Sequence, residues 1–222
     1  ELDQAIKQRY SVRSFKDKPV DKALVEEILT LAVRAPSWGN TQPWEIVAAG
    51  GGTVKALTQE FADLFRKGVQ NNPDFTMPEK WPAVNMDRYR AVGITLFKAV
   101  GIARDDMEAR QDHMANSFQA FSAPNLIYLI LDQGLPTVYS VFDSGLVAAH
   151  ICLLAASRGL GTCLLATSAM YPDSVRKHLN LGPEKKIVLG MGLGYPDIDA
   201  PANSFRSERD PLSRTVTWVD MD

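Results

Sequence analysis

The 222-residue chain is 45% hydrophobic and 23% charged, with 24 basic against 26 acidic residues and a net charge of −2. That near balance argues against nonspecific nucleic-acid binding, which draws on many uncompensated Lys and Arg side chains. A chain of this length is expected to form one domain burying roughly 70% of its unfolded surface, so it needs neither a disulfide framework nor a structural metal.

In chain order, Asp21 is a helix N-cap candidate, and Leu24, Ile28 and Leu31 recur on one face of a helix ending near Arg34, where Pro36 stops it. A short strand is predicted at Glu45–Ala49, broken by Gly50-Gly51-Gly52. Thr53–Val69 reads as a second helix with Val54, Leu57, Phe61, Leu64 and Phe65 inward. Gln70–Arg90 is punctuated by Pro73, Pro78 and Pro82 and carries Trp81 and Tyr89 among charges, the pattern of a long functional or disordered connection. Helical patterns follow at Val92–Ala103 and Asp105–Phe118, joined at Arg104-Asp105. The continuous apolar run Leu126–Leu131, bounded by Pro124-Asn125 and Asp132-Gln133-Gly134, predicts a buried central strand.

Asp143 or Ser144 is expected to cap a helix of small and apolar residues that ends at Arg158-Gly159. With almost no polar face, that helix must be covered all round, by a neighbouring sheet or by a partner subunit. A short strand at Gly161–Ala166, a helix at Asp173–Leu179 and a buried strand at Lys186–Leu193 complete the pattern. From Tyr195 the chain is a proline-marked tail with no helical pattern until Val216–Val219; such a tail is expected to lie across another surface. Helices and strands alternating around a small sheet predict an α+β, three-layer arrangement. No charged stem and apolar run open the sequence, and the stretch Leu146–Ala156 is shorter than the ~20 residues of a membrane-spanning helix. A soluble, cytoplasmic protein without nucleic-acid or membrane partners is expected, with Cys152 and Cys163 as buried thiols.

Several familiar chemistries are missing. Gly190, Gly192 and Gly194 end a strand but are followed by Tyr195-Pro196, not by the helix a dinucleotide phosphate would sit on, so close packing explains them. No phosphate-loop motif occurs, the histidines at 113, 150 and 178 have no ligand-spaced partner, and no serine sits in a nucleophile elbow.

Three clusters stand out. In Arg9-Tyr10-Ser11-Val12-Arg13-Ser14-Phe15 an extended chain projects Arg9, Ser11 and Arg13 to one side, either a solvated basic face or a cradle for a phosphate or anionic ring. In Ala35-Pro36-Ser37-Trp38-Gly39-Asn40-Thr41-Gln42-Pro43-Trp44 a rigid turn presents amide side chains between two tryptophans, either a packing corner or a frame for a polar heterocycle. The third, Asn203-Ser204-Phe205-Arg206-Ser207-Glu208-Arg209-Asp210-Pro211-Leu212, adds Arg206 and Arg209 from the far end of the chain.

With Gly159-Leu160-Gly161-Thr162 and Gly192-Leu193-Gly194-Tyr195-Pro196-Asp197, these clusters fall in an order and spacing that resembles the FMN-dependent nitroreductase family over essentially the whole chain. The middle section, Gly101–Asp105 with Ala123-Pro124, is similar to the branch of nitrobenzoate reductases and iodotyrosine deiodinases.

The resemblance implies a nitroreductase-like α/β/α fold with a mostly antiparallel sheet, in an intertwined homodimer holding two FMN molecules along its interface. It places Arg9, Tyr10, Ser11 and Arg13 at the flavin phosphate and pyrimidine edge, and Arg206 and Arg209 at the phosphate. Pro36, Ser37, Trp38, Asn40 and Gln42 would reach the flavin from the other subunit, with Leu164, Leu165, Ala166 and Thr167 beside the ring. Residues 1–222 would be one flavin-binding domain, about 70–110 its variable lid and 195–222 an extension over the partner, with Trp38, Trp81, Tyr89 and Phe97 lining the substrate pocket. The implied activity is NADH- or NADPH-dependent two-electron, ping-pong reduction of small nitroaromatic molecules. Quinones, enones or halogenated phenols are alternative acceptors, and a flavin-binding protein without turnover is the rival from another class. No protein acid or base is required, because position and electrostatics come from the protein and redox chemistry from the cofactor.

Overall fold

The computed structural model describes residues Leu2–Met221. Four strands, β1 (Glu45–Gly50), β2 (Asn125–Asp132), β3 (Gly161–Leu165) and β4 (Lys185–Gly194), form an antiparallel sheet in the order β1-β2-β4-β3. Among the described residues seven α-helices surround it: α1 (Leu2–Gln8), α2 (Lys22–Ala32), α3 (Gly51–Arg66), α4 (Ala83–Ala99), α5 (Met107–Phe118), α6 (Thr137–Ser157) and α7 (Pro172–Leu179). The period-2 alternation of a strand makes the layers. Leu126, Tyr128 and Ile130 pack with Leu57, Phe61, Phe118 and Val175 of α3, α5 and α7, while Ile127 and Leu129 pack with Ile28, Val147, Ile151 and Ala155 of α2 and α6. The unbroken apolar run of β2 follows from burial on both faces. The expected three-layer α+β architecture is therefore present.

Several boundaries differ from expectation, each for a local reason. The core stripe of α2 is Val25, Ile28 and Ala32, with Leu31 exposed, and the helix ends at Ala32. Helix α3 starts at Gly51, so only Gly50 of the glycine triplet closes the strand, and it stops at Arg66. Helix α4 begins at Ala83, inside the stretch expected to be irregular; it buries no residue, so no apolar stripe betrays it. It ends at Ala99, and α5 starts at Met107 behind Asp106, whose side chain accepts the Ala109 N–H at 2.9 Å. Helix α6 opens at Thr137, behind Pro136, so neither Asp143 nor Ser144 is its N-cap; both are buried within it. The helical pattern expected at Val216–Val219 is not helical, and the tail's regular pieces are short 3-10 turns at Pro201–Asn203 and Leu212–Arg214.

Gly190 confirms close packing. A Cβ there would lie 2.3 Å from Ser168 Oγ and 2.9 Å from Tyr128 Cε1, so only glycine lets the turn after β3 lie on β4. The exposed edge of β3 is covered by the N-terminal segment: Ser11 bridges Thr162 in parallel sense and Val12 N–H donates to Thr162 O at 2.9 Å. Phe15 then bridges Pro196, and Lys16 N–H donates to Tyr195 O at 2.9 Å. Both ends of the chain thus meet beside β3.

Candidate functional site

At that junction lies a cavity of about 930 Å³, at the upper end of the roughly 300–1,000 Å³ typical of small-molecule sites. Arg9, Tyr10 and Ser11 enter it from the N-terminal segment, Leu164 from β3, and Arg206 and Arg209 from the tail. Lys7, a residue not singled out from sequence, adds a fourth cation, and among the described residues no Asp or Glu lines the wall. The opposite wall is α6, where Gly145, Ala148 and Ala149 leave the space open.

The tail arginines owe their position to Asn203, only 3% exposed. Its carbonyl Oδ1 accepts the Arg13 N–H at 2.7 Å, and its amide donates to Ser14 O at 2.8 Å and Asp197 O at 2.7 Å. Three residues on, Arg206 stands with its guanidinium carbon 3.5 Å from the Tyr10 ring centroid and donates to Asn203 O at 2.9 Å and Phe205 O at 2.8 Å. Arg209 donates to Ser207 Oγ and Glu208 O, each at 2.9 Å. No ion pair quenches Arg9, Arg206 or Arg209 among the described residues. An acid-free wall with unquenched guanidinium groups suits a phosphate-bearing ligand.

Other expected site residues lie elsewhere. Arg13 is outside the lining; its guanidinium donates to Ser11 O at 3.3 Å and lies 5.7 Å from the Phe205 ring centroid. Burial first, and then the Arg13 charge, push the His113 pKa below its ordinary value. Leu164 is 48% exposed into the cavity, whereas the Leu165 side chain is buried in the core. Ala166 and Thr167 open the 3-10 turn after β3, and the Thr167 hydroxyl donates to Ser117 O at 3.0 Å.

Pro36, Ser37 and Trp38 line a second, apolar cleft of about 560 Å³ with Val138, Tyr139 and Phe142 of α6. Gly39, Asn40 and Gln42 all have left-handed φ values, +55°, +58° and +46°. Such clustered strain persists only where surroundings impose it. Ser37 Oγ accepts the Gln42 N–H at 3.0 Å, Gln42 Nε2 donates to Asn40 O at 3.3 Å, and the Trp38 N–H donates to Asp143 Oδ2 at 3.0 Å.

The remaining aromatic candidates are dispersed. Trp81 is exposed, and Tyr89 of α4 faces the tail across a third cavity of about 700 Å³. Phe97 packs between the Arg110 guanidinium, 4.3 Å from its centroid, and the His113 ring, 5.6 Å away edge-on. Within one chain none of these three joins Trp38 in the apolar cleft. Sequence reasoning missed Asn203 and Asp143 as organising residues. Only Asp143 left a clear signal, a lone carboxylate within an apolar helix.

Fold and site together define an α+β protein that gathers arginines from both ends of the chain into one cavity. Comparison with known proteins makes this specific: the profile of the nitroreductase family matches residues 6–195, and the chain belongs to that family. It is 31% identical to a 4-nitrobenzoate reductase of Nocardioides sp. (strain LMS-CY), covering 100% of this chain and 92% of that protein. It is 30% identical to a nitrobenzene nitroreductase of Ectopseudomonas oleovorans, covering 98% and 96%. Among solved structures, the FMN and NADPH-dependent nitroreductase NfnB of Sphigopyxis sp. strain HMH superposes with a TM-score of 0.95 at 30% identity over 100% of both chains.

Proposed function

We propose that this protein is an FMN-dependent, NAD(P)H-consuming nitroreductase that converts nitroaromatic compounds to nitroso and then hydroxylamino products. The observation that carries the reading is the arginine-lined, acid-free cavity at the meeting of the two chain ends, in a chain 30–31% identical to nitroaromatic reductases along its length. The first two-electron step balances as nitroarene plus NAD(P)H plus a proton giving nitrosoarene, NAD(P)⁺ and water, and the second as nitrosoarene plus NAD(P)H plus a proton giving arylhydroxylamine and NAD(P)⁺. FMN, when bound, supplies the carrier that takes two electrons from NAD(P)H and yields them to the nitro group.

The chain's own residues do the rest. Arg9, Arg206 and Arg209, with Lys7, supply charge-assisted donors for the cofactor phosphate, and Ser11 adds a hydroxyl. Leu164 and the small residues of α6 form the apolar walls that exclude water from a flat ring. No ionisable residue needs to move a proton in the redox step. A hydroxyl donated to the flavin ring would favour the one-electron chemistry of a dehalogenase; the Thr167 hydroxyl donates instead to Ser117 O, which supports two-electron nitro reduction.

Pro36, Ser37 and Trp38 line a cleft of their own, and none of Pro36–Gln42 lines the arginine cavity, which supports a homodimer in which this loop completes the partner's site. Fewer than half the residues in the most apolar window of α6 are buried within the chain, and Val138, Tyr139 and Phe142 stand exposed on it. Helix α6 is long and apolar enough to cross a membrane, yet its Val147, Ile151 and Ala155 pack into the sheet layer, which supports an interface role. We read the chain as one flavin-binding domain of the cytoplasm, with residues 70–110 as its variable segment. The tail's first part, through Asn203, is fixed to its own chain, so any reach over a partner belongs to residues beyond it.

The deciding experiment is one absorbance series. Purified protein reconstituted with FMN is expected to be yellow, to bleach on anaerobic addition of NADPH, and to recover colour on adding 4-nitrobenzoate. Protein that binds no FMN defeats the proposal. Stable yellow protein that NADH and NADPH both fail to bleach establishes the non-catalytic flavin protein instead.

A further inference from the structure

Helix α6 carries one acidic residue, Asp143, and it is 3% exposed. A buried carboxylate is costly unless hydrogen-bonded. Among the described residues its side chain has one such partner, the Trp38 N–H, 3.0 Å from Oδ2 and 105 positions away in sequence. Trp38 opens the 3-10 turn Trp38–Asn40, and the preceding residue, Ser37, makes no cap for it because its hydroxyl accepts from Gln42 N–H. Asp143 therefore caps, from another element, a turn that lacks its own cap. One helical turn earlier on the same face, the Tyr139 ring lies 6.1 Å from the Trp38 ring, tilted by 39°. The indole is otherwise 66% exposed, on a loop with left-handed residues at 39, 40 and 42. The backbone of Trp38 is thus held by Asp143 and its ring by Tyr139.

We infer that Asp143 is a positioning residue that sets the Trp38 wall of the acceptor slot. This rests on the proposed nitroreductase function. It assigns Asp143 to the hold on the nitroaromatic ring, acting through Trp38 and not by touching substrate. The hydrogen bond, not the charge, is the working feature, so a neutral acceptor of the same shape preserves it.

The test uses FMN-loaded wild type, Asp143→Asn, Asp143→Ala, Trp38→Ala and the Asp143→Ala/Trp38→Ala double variant, with NADPH and nitrobenzene. Asp143→Ala is expected to raise the nitrobenzene KM about 3- to 10-fold, the scale of one lost hydrogen bond, with kcat within about twofold. Asp143→Asn stays within about twofold of wild type in both constants, because its amide oxygen accepts the same bond. Adding Asp143→Ala to Trp38→Ala produces no further change, the signature of two residues acting as one. Fluorescence titration of the apoproteins with FMN, independent of turnover, should show weaker binding for Asp143→Ala and not for Asp143→Asn. If Asp143→Ala yields no folded protein, Tyr139→Leu loosens the other hold on Trp38 and carries the same KM expectation. An unchanged KM in the loosened variant, an Asp143→Asn as impaired as the alanine, or multiplying effects in the double variant overturns the inference. Failure of wild type itself to bind FMN or reduce nitrobenzene overturns the proposed function, and the two failures are read from different samples.

Discussion

Asn203 joins the two chain ends that supply the arginines, and its contacts are all to backbone groups. Replacing it by alanine leaves the Arg13 N–H without its acceptor and takes one of two donors from each of the carbonyls of Ser14 and Asp197, which keep the Asp197 and Ala200 N–H groups. At roughly 1–3 kcal/mol for a buried group left unpaired, Asn203→Ala should lower stability by about 1–3 kcal/mol in urea denaturation and weaken FMN binding with it. A loss below about 0.5 kcal/mol, typical of surface substitutions, would show that the tail is held otherwise. The arginines divide by position. Arg9 and Arg206 line the cavity, so each alanine replacement should cost about 1.5–3 kcal/mol of FMN binding, the range for hydrogen bonds to charged groups. Arg13 faces Phe205 and its own Ser11 carbonyl, so Arg13→Ala should cost FMN less than Arg9→Ala does; titration of the apoproteins ranks them. At this scale the sequence revealed which residues carry charge and in what order. It did not reveal Asn203, because an amide whose side-chain bonds go to backbone groups, two of them 189 and 190 positions away, leaves no periodicity and no charge pattern to read.

Among elements, those read correctly are the ones whose burial marks the sequence: α3 shows its buried face in its spacing, while β2 and β4 show burial as apolar runs between turn residues. The sequence pattern marks only part of α4 and places the start of α6 too late, because neither helix presents a polar and an apolar face within the chain. The α3–α7 pair is joined by a polar clasp: Glu60 accepts from Ser174 at 2.8 Å and Lys177 at 3.1 Å, and stands 2.7 Å from His178 Nε2. The His178 bond above all holds the Glu60 pKa down to about 2, from an ordinary 4.5, against the opposing effect of burial. A carboxylate with a depressed folded pKa adds stability above its unfolded pKa and loses it as pH falls toward the folded one. With the Glu60 side chain 30% exposed, solvent screens much of the effect, so Glu60→Gln should cost only about 1 kcal/mol at pH 7. That gap between wild type and variant should close between about pH 5 and 2, the window set by the two pKa values. A gap that stays constant down to pH 2 would mean that packing, not ionisation, joins these helices.

For the molecule as a whole, one chain presents two separate features, an arginine-lined cavity and an aromatic loop held on α6, which the proposed homodimer would join as two halves of one site. The sequence carried both halves as motifs, yet which half serves which subunit is set by assembly and has no signature in a single chain. A two-fold pairing through α6 buries the same patch on both subunits, so one substitution strikes the interface twice. Phe142 tests this because it is 64% exposed within the chain and a glutamate there costs the isolated fold little. In a dimer the same change buries an unpaired carboxylate on each side, a penalty of several kcal/mol apiece. Wild type should therefore sediment at about 49 kDa, twice the 24.5 kDa chain, while Phe142→Glu sediments at 24.5 kDa with its far-ultraviolet circular dichroism intact. The separated chains should also release FMN on gel filtration, since each retains its arginines but loses the neighbour's Pro36–Gln42 loop. A Phe142→Glu protein that remains a flavin-loaded dimer would place the interface elsewhere, and a wild-type monomer that holds FMN would show the arginine cavity to be complete by itself.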